Sequence, residues 1–123
     1  MQELIDVAKK VINERYEKGK HGVGAAVRTK SGKVYTGICM NSQKVDICAE
    51  WVAIGKALTD GDKEIEMVVS VHRDEEGNFE IYPPCALCRE LYLTYCPNVQ
   101  VILSNEEAVR GADLLPQAWI KKR

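Results

Sequence analysis

The chain has no surplus of charge of one sign. Its 17 Lys and Arg stand against 18 Asp and Glu, a net charge of −1. Bulk electrostatics therefore does not draw it onto DNA, RNA or anionic lipid. It also lacks any apolar run near the roughly 20 residues that a membrane helix needs, so no membrane association is expected. Met1-Gln2-Glu3-Leu4 has neither the basic segment nor the apolar core of a secretory signal, and a cytoplasmic protein is the expectation. No repeat, linker or low-complexity segment interrupts the 123 residues. With 46% hydrophobic and 28% charged residues the balance is that of an ordinary folded chain. Residues 1–123 are expected to form one domain, since compact domains most often hold about 100–150 residues. In a reducing compartment, five cysteines point to metal binding or catalysis rather than to disulfides.

Apolar residues at Leu4, Ile5, Val7, Ala8, Val11, Ile12 and Tyr16 follow helical spacing and predict a helix over residues 2–18. Val23 to Arg28 and Lys33 to Met40 read as a hairpin joined at Lys30-Ser31-Gly32. Helices are predicted from Cys48 to Leu58, from Ala86 to Tyr95 and over residues 112–120. Strands are predicted at Met67 to Val71, Phe79 to Tyr82 and Val99 to Leu103. Five strands and their interleaved helices describe a mixed five-stranded sheet in a three-layer α/β/α domain.

The chemistry-bearing residues stand at two helix starts. Cys48-Ala49-Glu50 opens one helix and Pro84-Cys85-Ala86-Leu87-Cys88 opens another. A catalytic zinc takes three protein ligands and leaves one position for water. Cys48, Cys85 and Cys88 supply three thiolates, and two helix N-termini aimed at them offset part of their charge. Arg89, next in sequence to a ligand, is placed to hydrogen-bond near the sulfurs. Glu50 is not needed as a ligand, which frees its carboxylate to move protons. A Cys₃ site with a Pro-Cys-x-x-Cys half and a non-ligating Glu is the pattern described for zinc nucleobase deaminases. A structural zinc site wants a fourth protein ligand, for which His21, Cys39, His72 and Cys96 are the candidates.

These motifs, with Lys20 to Gly32 in the hairpin and Leu114-Leu115-Pro116-Gln117-Ala118-Trp119 near the end, resemble the cytidine deaminase family and most of all its blasticidin S-deaminating branch. The resemblance implies a cytidine-deaminase-like fold, one Zn²⁺ per subunit on Cys48, Cys85 and Cys88, and Glu50 as the proton shuttle. It implies a homotetramer whose sites borrow residues from neighbours, with Trp119 where the family carries a stacking aromatic. Simple packing of a terminal helix is the other reading of Trp119. Ala49 and His21 are further expected substrate contacts.

Two departures from the family pattern stand out. The ribose-holding Asn-x-Glu pair falls on Cys39 and Asn41 in one register and on Asn41 and Gln43 in another, so its carboxylate is gone. Asn41 and Gln43 are the expected amide substitutes, without charge-assisted strength. Trp51 replaces a common Arg, which shifts the balancing of thiolate charge onto Arg89 and the helix ends. The implied activity is hydrolytic deamination of a cytosine-type ring in a small nucleoside or analogue, with cytidine, deoxycytidine and blasticidin S as candidates. The alternatives are another amino-heterocycle as substrate, or a non-catalytic zinc-binding module.

Overall fold

Helix α1, Gln2–Arg15, puts Leu4, Ile5, Ala8 and Ile12 on one buried face. In the computed structural model, which describes residues 1–122, that face lies on one side of a central sheet. Strands β1 (Val23–Thr29) and β2 (Val34–Ile38) form the expected antiparallel hairpin. β5 (Ile65–Arg73) pairs with β1 on its other side, β7 (Gln100–Ile102) runs parallel to β5, and β8 (Ala108–Arg110) closes that edge. The sheet order is β2-β1-β5-β7-β8, with β6 (Phe79–Tyr82) pairing β5 as well. The sheet is mixed, as expected, but has six strands rather than five. The addition is β8, whose three residues are too few to show a strand period.

Alternation along the central strands sorts the core into two layers. Ala26, Val69 and Val71 pack against Leu4, Ile5 and Ala8 of α1. Ala25, Val27 and Val68 face the other way, onto Ala49, Ala53 and Ala57 of α2 (Ala49–Thr59) and Leu91 and Tyr92 of α3 (Ala86–Tyr95). The result is helix, sheet, helix, the three layers the sequence predicts. Small residues set the spacing. A Cβ on Gly24 would lie 2.8 Å from Ile12 Cβ, and one on Gly37 would lie 2.6 Å from the Ala49 carbonyl oxygen.

Between β2 and α2 lies a second, separate sheet of two short strands, β3 (Met40–Asn41) and β4 (Asp46–Ile47). The sequence reads as loop here because each strand is only two residues long. The helix expected over residues 112–120 is replaced by a 3-10 turn, Gly111–Leu114. Pro116 interrupts the segment, and Gln117 takes a positive φ of 54°, which a helix does not contain. Helix α1 ends at Arg15 rather than at residue 18, and Gly19 turns the chain with φ of 78°.

Candidate metal centre and active site

Cys48 is the N-cap of α2 and Cys85 the N-cap of α3, both in extended backbone. Cys88 sits in the first turn of α3 and is fully buried. Both helices start at the same end of the sheet, so residues 37 positions apart meet: Cys48 Sγ lies 3.4 Å from Cys85 Sγ. Cys85 Sγ lies 3.5 Å from Cys88 Sγ. All three sulfurs lie within 4.8 Å of one another, and among the described residues no further His, Cys, Asp or Glu joins the group. His21, Cys39, His72 and Cys96 thus supply no fourth ligand.

This donor set fits zinc. Tetrahedral Zn–S bonds of about 2.3 Å place sulfurs about 3.8 Å apart, close to the 3.4 Å of Cys48–Cys85 and the 3.5 Å of Cys85–Cys88. The electrostatics point the same way. Burial, the Cys85 thiol and Glu50 push the Cys48 pKa up to about 11. Burial, Glu50 and Cys48 raise Cys88 much further. Burial opposes ionisation of Cys85 too, but the backbone amides of Cys88 and Leu87 and the two neighbouring thiols bring it below the ordinary thiol range. Two sulfurs that resist ionising beside one that ionises readily are a set whose thiolate charge a divalent cation would stabilise.

Glu50 is almost wholly buried, at 5% exposure, on the first turn of α2. Burial raises its pKa, and its own backbone amide, Cys88 and Ser70 act in the opposite direction. Ser70 stands on β5 between Val69 and Val71, whose side chains face α1. Its own side chain therefore points to the α2 layer, and its hydroxyl donates to the Tyr82 carbonyl at 3.1 Å. A cavity of about 240 Å³ opens here, lined by Glu50, Cys48, Cys85, Ser70, Asn41 and Asp46 among others. Tyr82 forms part of its wall, its ring stacked on His72 at 4.7 Å. Ser70 and Asp46 escape the motif reading. A lone polar residue inside the apolar run Met67 to Val71 is the signal for Ser70; Asp46 carries none in the sequence.

The remaining expected residues are distributed unevenly. Ala49 and Asn41 line the cavity. Gln43 sits at the exposed tip of the turn between β3 and β4, away from the cavity lining. His21 does not line it either; its Nδ1 lies 2.8 Å from the carbonyl of Cys39, a lining residue in the break between β2 and β3. Arg89 donates to the carbonyls of Pro84 (2.9 Å) and Leu114 (3.2 Å). Its bonds therefore brace the loop before Cys85 rather than the sulfurs themselves. Trp119 is 83% exposed and lies outside the cavity.

Comparison with known proteins follows the same lines. The model of the cytidine and deoxycytidylate deaminase zinc-binding region matches residues 1–104. The chain is 37% identical to blasticidin-S deaminase of Bacillus cereus over 107 residues, 82% of this chain and 76% of that protein. It is similar to the crystal structure of cytidine deaminase from Bacillus anthracis, with a TM-score of 0.81 and 27% identity, covering 96% of this chain and 88% of that one. The cytidine deaminase structure from Burkholderia pseudomallei gives a TM-score of 0.79 and 29% identity, covering 96% and 98%.

Proposed function

The chain is an aminohydrolase of the cytidine and deoxycytidylate deaminase family, and from that premise we propose that it deaminates the cytosine-type ring of a free nucleoside or nucleoside analogue, with zinc. The observation that carries this reading is the meeting of Cys48, Cys85 and Cys88 beside the buried carboxylate of Glu50. Zinc supplies Lewis acidity that makes water a nucleophile near neutral pH. Cys48, Cys85 and Cys88 would hold one Zn²⁺ per subunit.

The rest is work for the chain's own side chains. Glu50 takes a proton from the attacking water and passes it to the ring nitrogen next to the reacting carbon. It then carries the second proton to the departing amine, so that ammonia leaves and a carbonyl remains. Ser70, whose hydroxyl donates to the Tyr82 carbonyl, lines the same cavity and acts with the Glu50 backbone amide and Cys88 to favour the ionised carboxylate. Asn41 and Ala49 line the walls against which the ring and its sugar rest. A pure scaffold has no use for a carboxylate buried beside three thiols, which speaks for catalysis. The loss of the family's Asn-x-Glu carboxylate, through Cys39 and Asn41, favours as a second reading a different amino-heterocycle.

A homotetramer in the cytoplasm completes the proposal. The exposed Trp119 (83%) and Ile120 (58%) are available to a neighbouring subunit.

The test is ammonia release and ultraviolet absorbance loss from cytidine, deoxycytidine and blasticidin S with zinc-loaded protein. Glu50→Gln should lower turnover by about 10²–10⁴-fold and keep its zinc. Turnover equal to wild type in Glu50→Gln, or no ammonia from any amino-heterocycle, overturns the reading.

A further inference from the structure

The cavity has two walls of different character. One wall holds Cys48, Cys85 and the buried Glu50, where the amine of the ring must lie if the proposed function, on which this inference rests, is right. The sugar then points outward, to the wall built by the β3–β4 hairpin. Asn41 and Asp46 are direct partners across that hairpin. Opposed residues in antiparallel strands share a face, with Cβ atoms about 4.5–5.5 Å apart. A carboxamide and a carboxylate therefore stand side by side at the mouth.

The turn that joins their strands is held by its own bonds. The Ser42 amide donates to the Val45 carbonyl at 3.0 Å, and the Ser42 hydroxyl donates to the same carbonyl at 2.8 Å. That hydroxyl also accepts the Val45 amide at 3.0 Å. The turn is thus closed by its own bonds, and Asp46 follows it directly.

Charge decides what such a mouth prefers. The cavity lining contains no Lys, Arg or His. An adjoining groove shares Val23, Cys39 and Asn41 with it and does carry cations. Those cations are already engaged: Lys18 with Glu75 at 3.2 Å, Lys20 with Glu17 at 3.3 Å, and Arg73 with Asn13 and over the Tyr16 ring. His72 is stacked on Tyr82. Among the described residues no cation lies within ion-pair distance of Asp46.

We propose that Asp46, presented beside Asn41 by the β3–β4 hairpin, is the specificity-determining residue at the sugar end and selects by charge. It favours a nucleoside whose sugar carries an ammonium group over one with a hydroxyl, and both over one with a phosphate.

Three compounds with the same ring test this: 5′-amino-5′-deoxycytidine, cytidine and cytidine 5′-monophosphate. The zinc-loaded enzyme should rank them in that order by kcat/KM, with the differences in KM. Asp46→Asn should narrow the amine-to-phosphate ratio at least tenfold, Asp46→Glu should restore it, and Glu3→Gln on α1 should leave it alone. Raising salt from about 0.05 to about 0.5 M should narrow the ratio in the wild type, a measurement that stands even where a variant fails to fold. Deamination of cytidine with a ratio that neither Asp46→Asn nor salt alters overturns this inference and leaves the proposed function intact. No ammonia from any of the three overturns both.

Discussion

Cys48 Sγ and Cys85 Sγ lie 3.4 Å apart, although the two residues cap different helices. The contact exists because α2 and α3 both begin at the same end of the sheet. Each helix brings unpaired amide groups and a partial positive charge to the point where the sulfurs gather.

Cys88 is the deepest of the three sulfurs and the one most strongly raised by burial. Cys88→Ser replaces a soft ligand by a hard one of nearly the same size. It should leave the fold in place, as judged by far-ultraviolet circular dichroism, and abolish stoichiometric zinc by atomic emission. Full zinc retention would show that the sulfurs do not form a joint site.

Arg89 braces the loop before Cys85 through the Pro84 and Leu114 carbonyls. Arg89→Ala should weaken zinc binding by about 10–100-fold, the usual effect of losing a group that supports a ligand. Competition against a chromophoric chelator reads this directly. At saturating zinc most of the turnover should return, which separates a positioning residue from one that touches the substrate. Unaltered zinc affinity would remove Arg89 from any part in the site.

Gly37 and Gly55 make opposite forecasts for the same substitution. A methyl at Gly37 would meet backbone atoms of α2, the Ala49 oxygen at 2.6 Å and the Ala53 nitrogen at 2.7 Å. Gly37→Ala should cost about 1–3 kcal/mol through overpacking. Nothing lies within 4 Å of a methyl at Gly55, in the middle of α2. Gly55→Ala should stabilise by about 0.5–1 kcal/mol. Urea unfolding midpoints moving in the same direction for both would contradict this packing account.

The turn after β1 is tied by two carboxylates. Asp62 accepts the Thr29 hydroxyl at 2.6 Å and the Ser31 hydroxyl at 2.8 Å, and these bonds hold its pKa below the usual carboxylate range. Asp60 is lowered likewise, first by the Tyr35 hydroxyl at 2.6 Å and then by Lys33. A folded pKa below the unfolded one, about 3.9, gives stability that is present above that value. It is lost as pH falls through the folded pKa. Tyr35 runs the other way: the bond to Asp60 and burial raise its pKa. Its contribution is complete below about pH 10 and fades at higher pH. The thermal midpoint of wild type minus that of Asp62→Asn should therefore shrink between about pH 4 and pH 2. A difference that stays constant over that range would refute the assignment.

The meeting of the three sulfurs was legible because its geometry is local. A cysteine at a helix start, with a glutamate two residues on, needs only the helix to place both groups. The same holds for Cys85 and Cys88. The approach of α1 at Gly24 leaves no room for a side chain, a constraint set by tertiary packing rather than by any local pattern. Ser70 was not legible, because its role depends on which face of β5 looks toward α2. Asp46 was hidden in the same way: two-residue strands carry no period, and only the pairing with Asn41 turns it toward the cavity. The tail failed for a local reason. Apolar residues at Leu114, Leu115 and Trp119 suggest a helix, but Pro116 and the left-handed Gln117 break it.

The hairpin that carries Asn41 and Asp46 belongs to its own small sheet, hydrogen-bonded apart from the six strands beneath the helices. On the proposed reading, preference therefore lies in a two-stranded hairpin and reaction in the two helix starts, although the hairpin runs straight into Cys48. If that reading holds, changes at Asn41 to Asp46 should alter which compounds are admitted while leaving the three sulfurs and Glu50 in place. Relatives that share the three sulfurs need not share a diet.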